Sequence, residues 1–175
     1  MKYNENMENN IIETDRLLVR KLLFDDSELL FKYSQEDITK KELPDEVFEN
    51  IEKCKETIEY FIKNYDYTFP LVYGVIMKEN NIIIGHLSLS KIDKGIEIGY
   101  AIATDYQNKG YTSELINPFI NWAKKNLNID KIFGIVKKDN IPSWKILEKN
   151  GFLFLEECKN KKYFNGNYIT RIYVK

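Results

Sequence analysis

The sequence predicts one domain of the mixed α/β (α+β) class, and three observations carry that expectation. A chain of 175 residues has the length of a single domain with room for a core of its own. A hydrophobic fraction of 43% with 8 glycines and 4 prolines is the composition of a packed globule, well away from disordered or collagenous chains. Apolar periodicity alternates between the two-residue spacing of strands and helical spacing, with no repeat, proline-rich linker or charge block to divide the chain. Residues 1–10 are polar and unlike a signal sequence, so they are expected to be a disordered lead-in to a domain spanning residues 11–175.

Arg16 to Lys21 alternates as the first strand, with Leu17 and Val19 on one face and Leu18 and Arg20 on the other. Asp25, with Glu28 three residues later, has the form of a capping box and opens a short helix through Tyr33. Gln35 to Asp45 is polar, holds Pro44 and reads as a loop. Ile51, Cys54, Ile58, Phe61, Ile62 and Tyr65 recur at helical spacing, which places a second helix over Val47 to Asn64. Leu71 to Lys78 and Ile82 to Ser90 form a hairpin around Glu79-Asn80-Asn81, because β-branched runs flank asparagines that tolerate positive φ. Ile96 to Ala103 adds a strand to this meander. Leu115, Ile116, Phe119, Ile120, Ala123 and Leu127 mark a helix from about Gly110, and Pro118 inside it, which removes a backbone donor, predicts a kink. Lys131 to Val136 is a strand, and Pro142 to Lys149 a short helix with Pro in its first turn and Gly151 as its left-handed stop. Phe152 to Cys158 and Tyr168 to Val174 close the chain as a hairpin.

Composition removes several function classes. Lys and Arg number 26 against 27 Asp and Glu, and a net charge of −1 makes no electrostatic case for nucleic acid. Two cysteines, Cys54 and Cys158, cannot build a disulfide framework or a four-thiolate zinc site, and a reduced, cytoplasmic setting is expected. The single histidine, His86, leaves no His-rich metal site, so no metal is expected, and any Ser-His-Asp triad would have to use that one imidazole. The longest apolar run, Leu71 to Met77, is broken by Gly74 and too short to span a bilayer, which points to a soluble protein without a membrane partner.

The informative stretch runs from Glu97 through Ile98, Tyr100 and Ile102 to Gln107-Asn108-Lys109-Gly110-Tyr111-Thr112. A strand enters a turn, and the turn a helix whose first amides are unpaired and whose dipole favours negative charge, a setting suited to phosphate. Gly110 allows close backbone approach and Lys109 adds a cation. The same residues also read as a plain helix cap, and they lack both the Gly-x-x-x-x-Gly-Lys-Ser/Thr loop of nucleotide triphosphatases and the Gly-x-Gly-x-x-Gly turn of dinucleotide sites. Downstream, Asn140 reads locally as a helix cap and Ser143 as a first-turn hydroxyl. His86 and Ser88 alternate onto one face of their strand with Ile84, so that they line an acceptor pocket or His86 is a capped edge residue. Tyr60, Tyr65, Tyr67 and Phe69 read as core and rim aromatics, since no basic groove accompanies them.

Five segments carry a resemblance when taken in order: Glu13-Thr14-Asp15-Arg16-Leu17-Leu18-Val19-Arg20, Ile84-Gly85-His86-Leu87-Ser88-Leu89, Glu97-Ile98-Gly99-Tyr100, Gln107 to Thr112, and Asn140-x-x-Ser143 with Glu148-Lys149-x-Gly151-Phe152. Together they resemble the motifs of the GNAT family of N-acetyltransferases, in the branch of the ribosomal-protein alanine N-acetyltransferases, over nearly the whole chain. The resemblance implies that residues 11–175 are a single acetyltransferase domain with a mostly antiparallel sheet, splayed near its middle, and helices on both faces.

The resemblance also implies acetyl-CoA as cosubstrate. Amides of Gln107, Asn108, Lys109, Gly110, Tyr111 and Thr112 would hold its pyrophosphate, and pantetheine would lie beside Ile98, Tyr100 and Ile102 like an added strand. Asn140 would bond the pantetheine arm and Ser143 would sit close to the sulfur. Glu97 would act, directly or through water, as general base for an amine attacking the thioester carbonyl, with no covalent enzyme intermediate. His86, Ser88 and Glu97 are then the acceptor-side residues. Two positions depart from the family pattern. Thr112 stands where Gly or Ala is usual, and Leu147 where many relatives carry a tyrosine as acid, which leaves Ser143 or a bound water for that role. The acceptor is a primary amine on a protein N-terminus, a polyamine or another small amine. A carboxylate near about 4.3 takes a proton more readily from an α-amine at about 7.7 to 8.0 than from a lysine at about 10.4, which favours α-amines. A monomer or homodimer is expected. The rival reading is a non-catalytic acyl-CoA-binding module that docks a partner protein; Thr112 and Leu147 leave it open, and Glu97 opposes it.

Overall fold

The computed structural model of the chain describes residues 10–65, 69–159 and 168–175. Its strands are β1 (Asn10–Glu13), β2 (Leu17–Lys21), β3 (Leu71–Met77), β4 (Ile82–Ile92), β5 (Gly95–Ile102), β6 (Ile132–Lys137), β7 (Leu153–Lys159) and β8 (Ile169–Val174). They form one sheet in the order β1-β2-β3-β4-β5-β6-β8-β7. Every neighbouring pair is antiparallel except β5 with β6. That parallel ladder pairs only Ile96 with Ile132 and Glu97 with Phe133, after which the two strands part. The sheet therefore has two arms, β1 to β5 and β6-β8-β7, joined at a fork.

The helices are α1 (Ser27–Ser34), α2 (Asp37–Glu42), α3 (Ile51–Asn64), α4 (Tyr111–Leu127) and α5 (Ile141–Lys149). Alternation along the strands sends side chains to opposite faces. Leu17 and Val19 join Leu87, Leu89, Ile98 and Ile132 in the larger core with Leu115, Phe119 and Ile120 of α4. Leu18 packs on the other face, where Ile76 and Ile83 meet Leu30 and Tyr33 of α1 and Cys54 and Ile58 of α3. Helices thus cover both faces. Leu147 of α5 belongs to the α4 core, which ties the second arm to the first below the fork.

Several local expectations change. Asn10 opens β1, pairing with Arg20, and so belongs to the sheet; the disorder expected over residues 1–9 lies outside the described residues. Asp26, rather than Asp25 with Glu28, closes the turn before α1. Its carboxylate accepts from Leu23 N at 2.7 Å and from Arg20 Nη1 and Nη2 at 2.7 and 2.8 Å. The helix expected from Val47 begins at Ile51, where Asn50 Oδ1 accepts from Lys53 N at 2.9 Å. α4 continues through Pro118 as one helix. The polar stretch expected as a loop, Gln35 to Asp45, contains α2 and most of a 3₁₀ turn at Pro44–Glu46. Six residues, Asp-Ile-Thr-Lys-Lys-Glu, are too few and too polar to display a helical apolar period. Distant groups hold α2 instead. The Glu36 carboxylate accepts from Thr104 N at 3.0 Å and Thr104 Oγ1 at 2.5 Å, and Lys137 Nζ donates to Lys41 O at 2.6 Å.

Phe119 is fully buried, stacked on Trp122 and edge-on to Tyr73 with ring centroids 5.9 and 5.8 Å away. Phe119→Ala is expected to cost about 3–5 kcal/mol, measured as a lower urea midpoint at an unchanged m value; a loss below about 1 kcal/mol would mean that α4 does not anchor the sheet.

Candidate functional site

The fork makes the site. Bonds from the β5 segment to β4 use alternate residues, Ala103 N donating to Ile84 O at 2.8 Å among them. The backbone groups of Ile98, Tyr100 and Ile102 therefore point the other way, into the gap that β6 leaves. Gln107 Nε2 donates to Ile102 O at 2.7 Å, which folds the next turn back against the strand. A cavity of about 550 Å³ occupies the gap, walled by both arms, α2, the turn before α4 and the first turn of α5.

In that turn Asn108 and Gly110 have φ of 60° and 81°. A Cβ on Gly110 would meet nothing closer than Arg16 Nη2 at 3.7 Å, so it is the left-handed backbone rather than space that calls for glycine. Gly110 caps α4 without a side-chain bond, and Gly110, Tyr111, Thr112 and Ser113 all line the cavity. The amides of the first helical turn are thus at the wall, where the helix end favours an anion. Lys109 does not line the cavity; its ammonium lies 5.3 Å from the Tyr106 ring centroid.

A brace absent from the local reading fixes this turn. Arg16 Nη1 donates to Lys109 O at 3.0 Å, its Nε to Glu114 Oε2 at 2.7 Å, and its guanidinium lies 4.5 Å from the Tyr111 ring centroid. Thr14 Oγ1 donates to Glu114 Oε1 at 2.5 Å. Burial alone would raise the Glu114 carboxyl, but the bonds from Thr14 and Arg16 outweigh it and hold the group below the usual range. The signal in the sequence was the Thr14-Asp15-Arg16 segment, whose local bond, Leu17 N donating to Thr14 Oγ1 at 3.1 Å, does not point to α4.

Across the cavity, Asn140 caps α5 through Oδ1, which accepts from Ser143 N at 3.3 Å, while its Nδ2 donates to Glu42 Oε2 at 3.2 Å. Lys137 Nζ lies 3.9 Å from the same oxygen. α2 is thereby strapped from the Thr104 side of the fork to the β6 and α5 side. The Tyr100 hydroxyl lies 2.9 Å from Ser143 Oγ and 3.0 Å from Ser143 O, two oxygens that compete for its one proton. Leu147 is fully buried, and a Cβ on Gly134 would sit 2.6 Å from its Cδ1, so it packs the arm.

Glu97 stands at the fork itself, opposite Phe133 of β6 and Ser90 of β4. It is half-buried and burial pushes its carboxyl up to about 7. Ser88, Ser90, Glu97 and Gly99 share the cavity wall, and a Cβ on Gly99 would fall 2.4 Å from Ser88 Oγ.

His86 lies behind this wall. Ile84 does not share its face, because Ile76 pairs with Ile83 and Val75 with Gly85, leaving Ile84 as an extra residue in β4. Ile84 thus enters the α4 core, while His86 Nδ1 bonds the Tyr33 hydroxyl on the other face. His86 Nε2 is 3.3 Å from Glu46 Oε2, and Glu46 lines the cavity where His86 does not. Burial lowers the imidazole pKa, but Glu46 outweighs it and the pKa is raised. Among the described residues no group of three His, Cys, Asp or Glu side chains is arranged to hold a metal ion, and no helix is long and apolar enough to cross a membrane.

Residues 16–153 match the family model described as the acetyltransferase (GNAT) domain. The chain is 28% identical over 152 residues to the uncharacterized N-acetyltransferase YnaD of Bacillus subtilis (strain 168), covering 84% of this chain and 86% of that protein. A GNAT-family acetyltransferase from Bacillus anthracis aligns in structure with a TM-score of 0.80 at 27% identity, over 94% of this chain and 96% of the other. RimL, a ribosomal L7/L12 alpha-N-protein acetyltransferase in complex with coenzyme A, has the same fold with a TM-score of 0.82 at 20% identity, over 95% and 97% of the two chains.

The raised Glu97 carboxyl links stability to pH. The group ionises at about 4.5 when unperturbed and at about 7 in the fold, so its protonated form is the one the fold favours. That contribution is fully present below the lower value and lost as pH rises through the upper one. Relative to Glu97→Gln, the wild type is expected to lose up to about 3 kcal/mol between about pH 4 and about pH 8. Urea unfolding of both proteins across this range measures it; parallel stability curves would show that the carboxyl titrates as if exposed.

Proposed function

Because the chain belongs to the GNAT family of acetyltransferases, we propose that it transfers the acetyl group of acetyl-CoA to a primary amine by direct attack, with Glu97 as general base and Ser143 as general acid. One observation carries this reading. A carboxyl with a pKa raised to about 7 stands at the fork, in the same cavity as Ser143 and the Gln107 to Thr112 turn. A base works best when its pKa lies near the working pH, and an unperturbed glutamate would be too weak.

The residues present fit acetyl-CoA. The open edge of Ile98 and Tyr100 offers strand-like bonds to pantetheine amides, and the braced turn offers amides to the pyrophosphate. Thr112, unusual at its place, contributes a hydroxyl at the cavity wall. Asn140 meets the pantetheine arm, which brings the thioester toward Ser143. The amine enters on the side of Ser88, Ser90 and Glu97. As its nitrogen bonds the carbonyl carbon, Glu97 takes a proton from it. The carbon–sulfur bond then breaks with its electron pair on sulfur, and Ser143 Oγ supplies the proton that leaves CoA as a thiol. His86 acts on the acceptor side only through Glu46.

The acceptor we favour is a protein α-amine. A base with a pKa near 7 is close to the α-amino range of about 7.7 to 8.0 and far from a lysine at about 10.4. RimL, which shares the fold, is itself an alpha-N-protein acetyltransferase. The free thiols Cys54 and Cys158 suit a reducing, cytoplasmic setting. Each group in this reading comes from one chain, so a monomer is sufficient, and neither metal nor nucleic acid has a part in it.

CoA release measured over N-terminal peptides, polyamines and small amines tests the reading, with peptides expected to be the best acceptors; acetyl-CoA binding without turnover on any amine would replace the enzyme by a binding module. Glu97→Gln is expected to lower turnover by about 10² to 10⁴, with acetyl-CoA binding retained and partial recovery at higher pH, where more amine arrives deprotonated. Near-normal turnover at about pH 7 would remove Glu97 as the base. Gly110→Val strains a left-handed position by about 1–3 kcal/mol and is expected to weaken acetyl-CoA binding, by calorimetry, by more than that loss of stability explains; unchanged affinity in a folded variant would detach the turn from the phosphates.

A further inference from the structure

We propose that Tyr100 is a positioning residue for the protonation of the leaving thiolate: its hydroxyl holds the Ser143 hydroxyl so that the serine proton is directed at sulfur. The inference rests on the reading of Ser143 as general acid. In the sequence Tyr100 offered only its backbone, beside pantetheine. In the structure its side chain crosses the open fork and reaches the first turn of α5, where the phenol oxygen is 2.9 Å from Ser143 Oγ and 3.0 Å from Ser143 O.

Those two acceptors are not equivalent. Ser143 O lies inside α5 and already faces the amide of Leu147, one helical turn on. Ser143 Oγ has no such intrahelical partner and is the atom that gains negative charge as its proton leaves. A serine hydroxyl in the first turn of an exposed helix would otherwise rotate among its staggered positions. Donation from Tyr100 selects one position, frees the serine proton to point away from the phenol, and strengthens as charge grows on Oγ. Burial pushes the Tyr100 hydroxyl well above its ordinary pKa, so the phenol keeps its proton through the reaction. Leu147, packed against Gly134, offers no donor.

The step balances without a further reactant. The nitrogen–carbon bond forms and the carbon–sulfur bond breaks with its pair on sulfur. The proton on Ser143 Oγ passes to sulfur, the amine proton to Glu97, and both groups are restored by exchange with water. Tyr100 neither gains nor loses a proton.

Tyr100→Phe removes one oxygen and keeps the ring in the wall. Turnover on a peptide acceptor is expected to fall about 10- to 100-fold, while KM for acetyl-CoA stays within about twofold. The deciding measurement is the double variant. Ser143→Ala with Tyr100→Phe is expected to be as slow as Ser143→Ala alone, because the tyrosine acts only through the serine. Wild-type turnover in Tyr100→Phe, or losses that multiply in the double variant, would overturn the positioning role while leaving Ser143 as the acid. A raised KM with unchanged kcat would overturn it in favour of a part in the pantetheine wall. Full turnover in Ser143→Ala would overturn both the acid assignment and the inference built on it.

Discussion

The structure depends on the parting of β6 from β5 after two paired residues. A strand edge opened in the middle of a sheet leaves backbone donors and acceptors without partners, and such groups are costly when buried. Here they face a cavity that water or a ligand chain can enter, so the same opening that weakens the sheet creates an edge with the spacing of a β-ladder. The fork survives because both arms are held elsewhere. α4 packs Leu115, Phe119 and Ile120 into a core that includes Ile98 from one arm and Ile132 and Tyr173 from the other. α2 straps the opposite side, through Glu36 at Thr104 and through Lys137 and Asn140 at its far end.

Two glutamates on this frame show how environment assigns chemistry. Glu114 is half-buried too, yet Thr14 and Arg16 donate to it and keep it charged. It serves as an anchor for the arginine that fixes the turn. Glu97 is desolvated at the fork, and its carboxyl rises toward neutrality. The same side chain is held toward its charged form in one place and pushed toward its neutral form in the other, because partners stabilise the charge and burial without partners destabilises it.

The path from chain start to site explains a long-range dependence. Thr14 and Arg16 lie just before β2, while Lys109 and Glu114 lie on either side of the start of α4. The turn is therefore held from outside itself, and the carbonyl between the left-handed residues Asn108 and Gly110 is bonded by an arginine more than ninety residues earlier. A similar arrangement joins Tyr100 to Ser143, so that this wall of the cavity is a set of contacts between arms rather than a property of either.

What the sequence by itself determined follows from interactions of short range. The α3 and α4 stripes, the β3–β4 hairpin with Asn81 at positive φ, the stop at Gly151 and the cap of α5 by Asn140 all depend on residues a few positions apart, so periodicity and residue type sufficed. The Glu97-Ile98-Gly99-Tyr100 and Gln107 to Thr112 segments were legible as motifs for the same reason: strand, turn and helix start are contiguous. Tertiary structure alone decided α2, whose six polar residues are held by Thr104 and Lys137. It also decided the face of Ile84, the extra residue of β4, next to Gly85, where a Cβ would fall 2.1 Å from Ala101 O. The raised pKa of Glu97 and the reach of Tyr100 to Ser143 belong to this second group. Each arises only when strands and helices far apart in the chain exclude water together, and desolvation and cross-arm bonds leave no trace in local residue order.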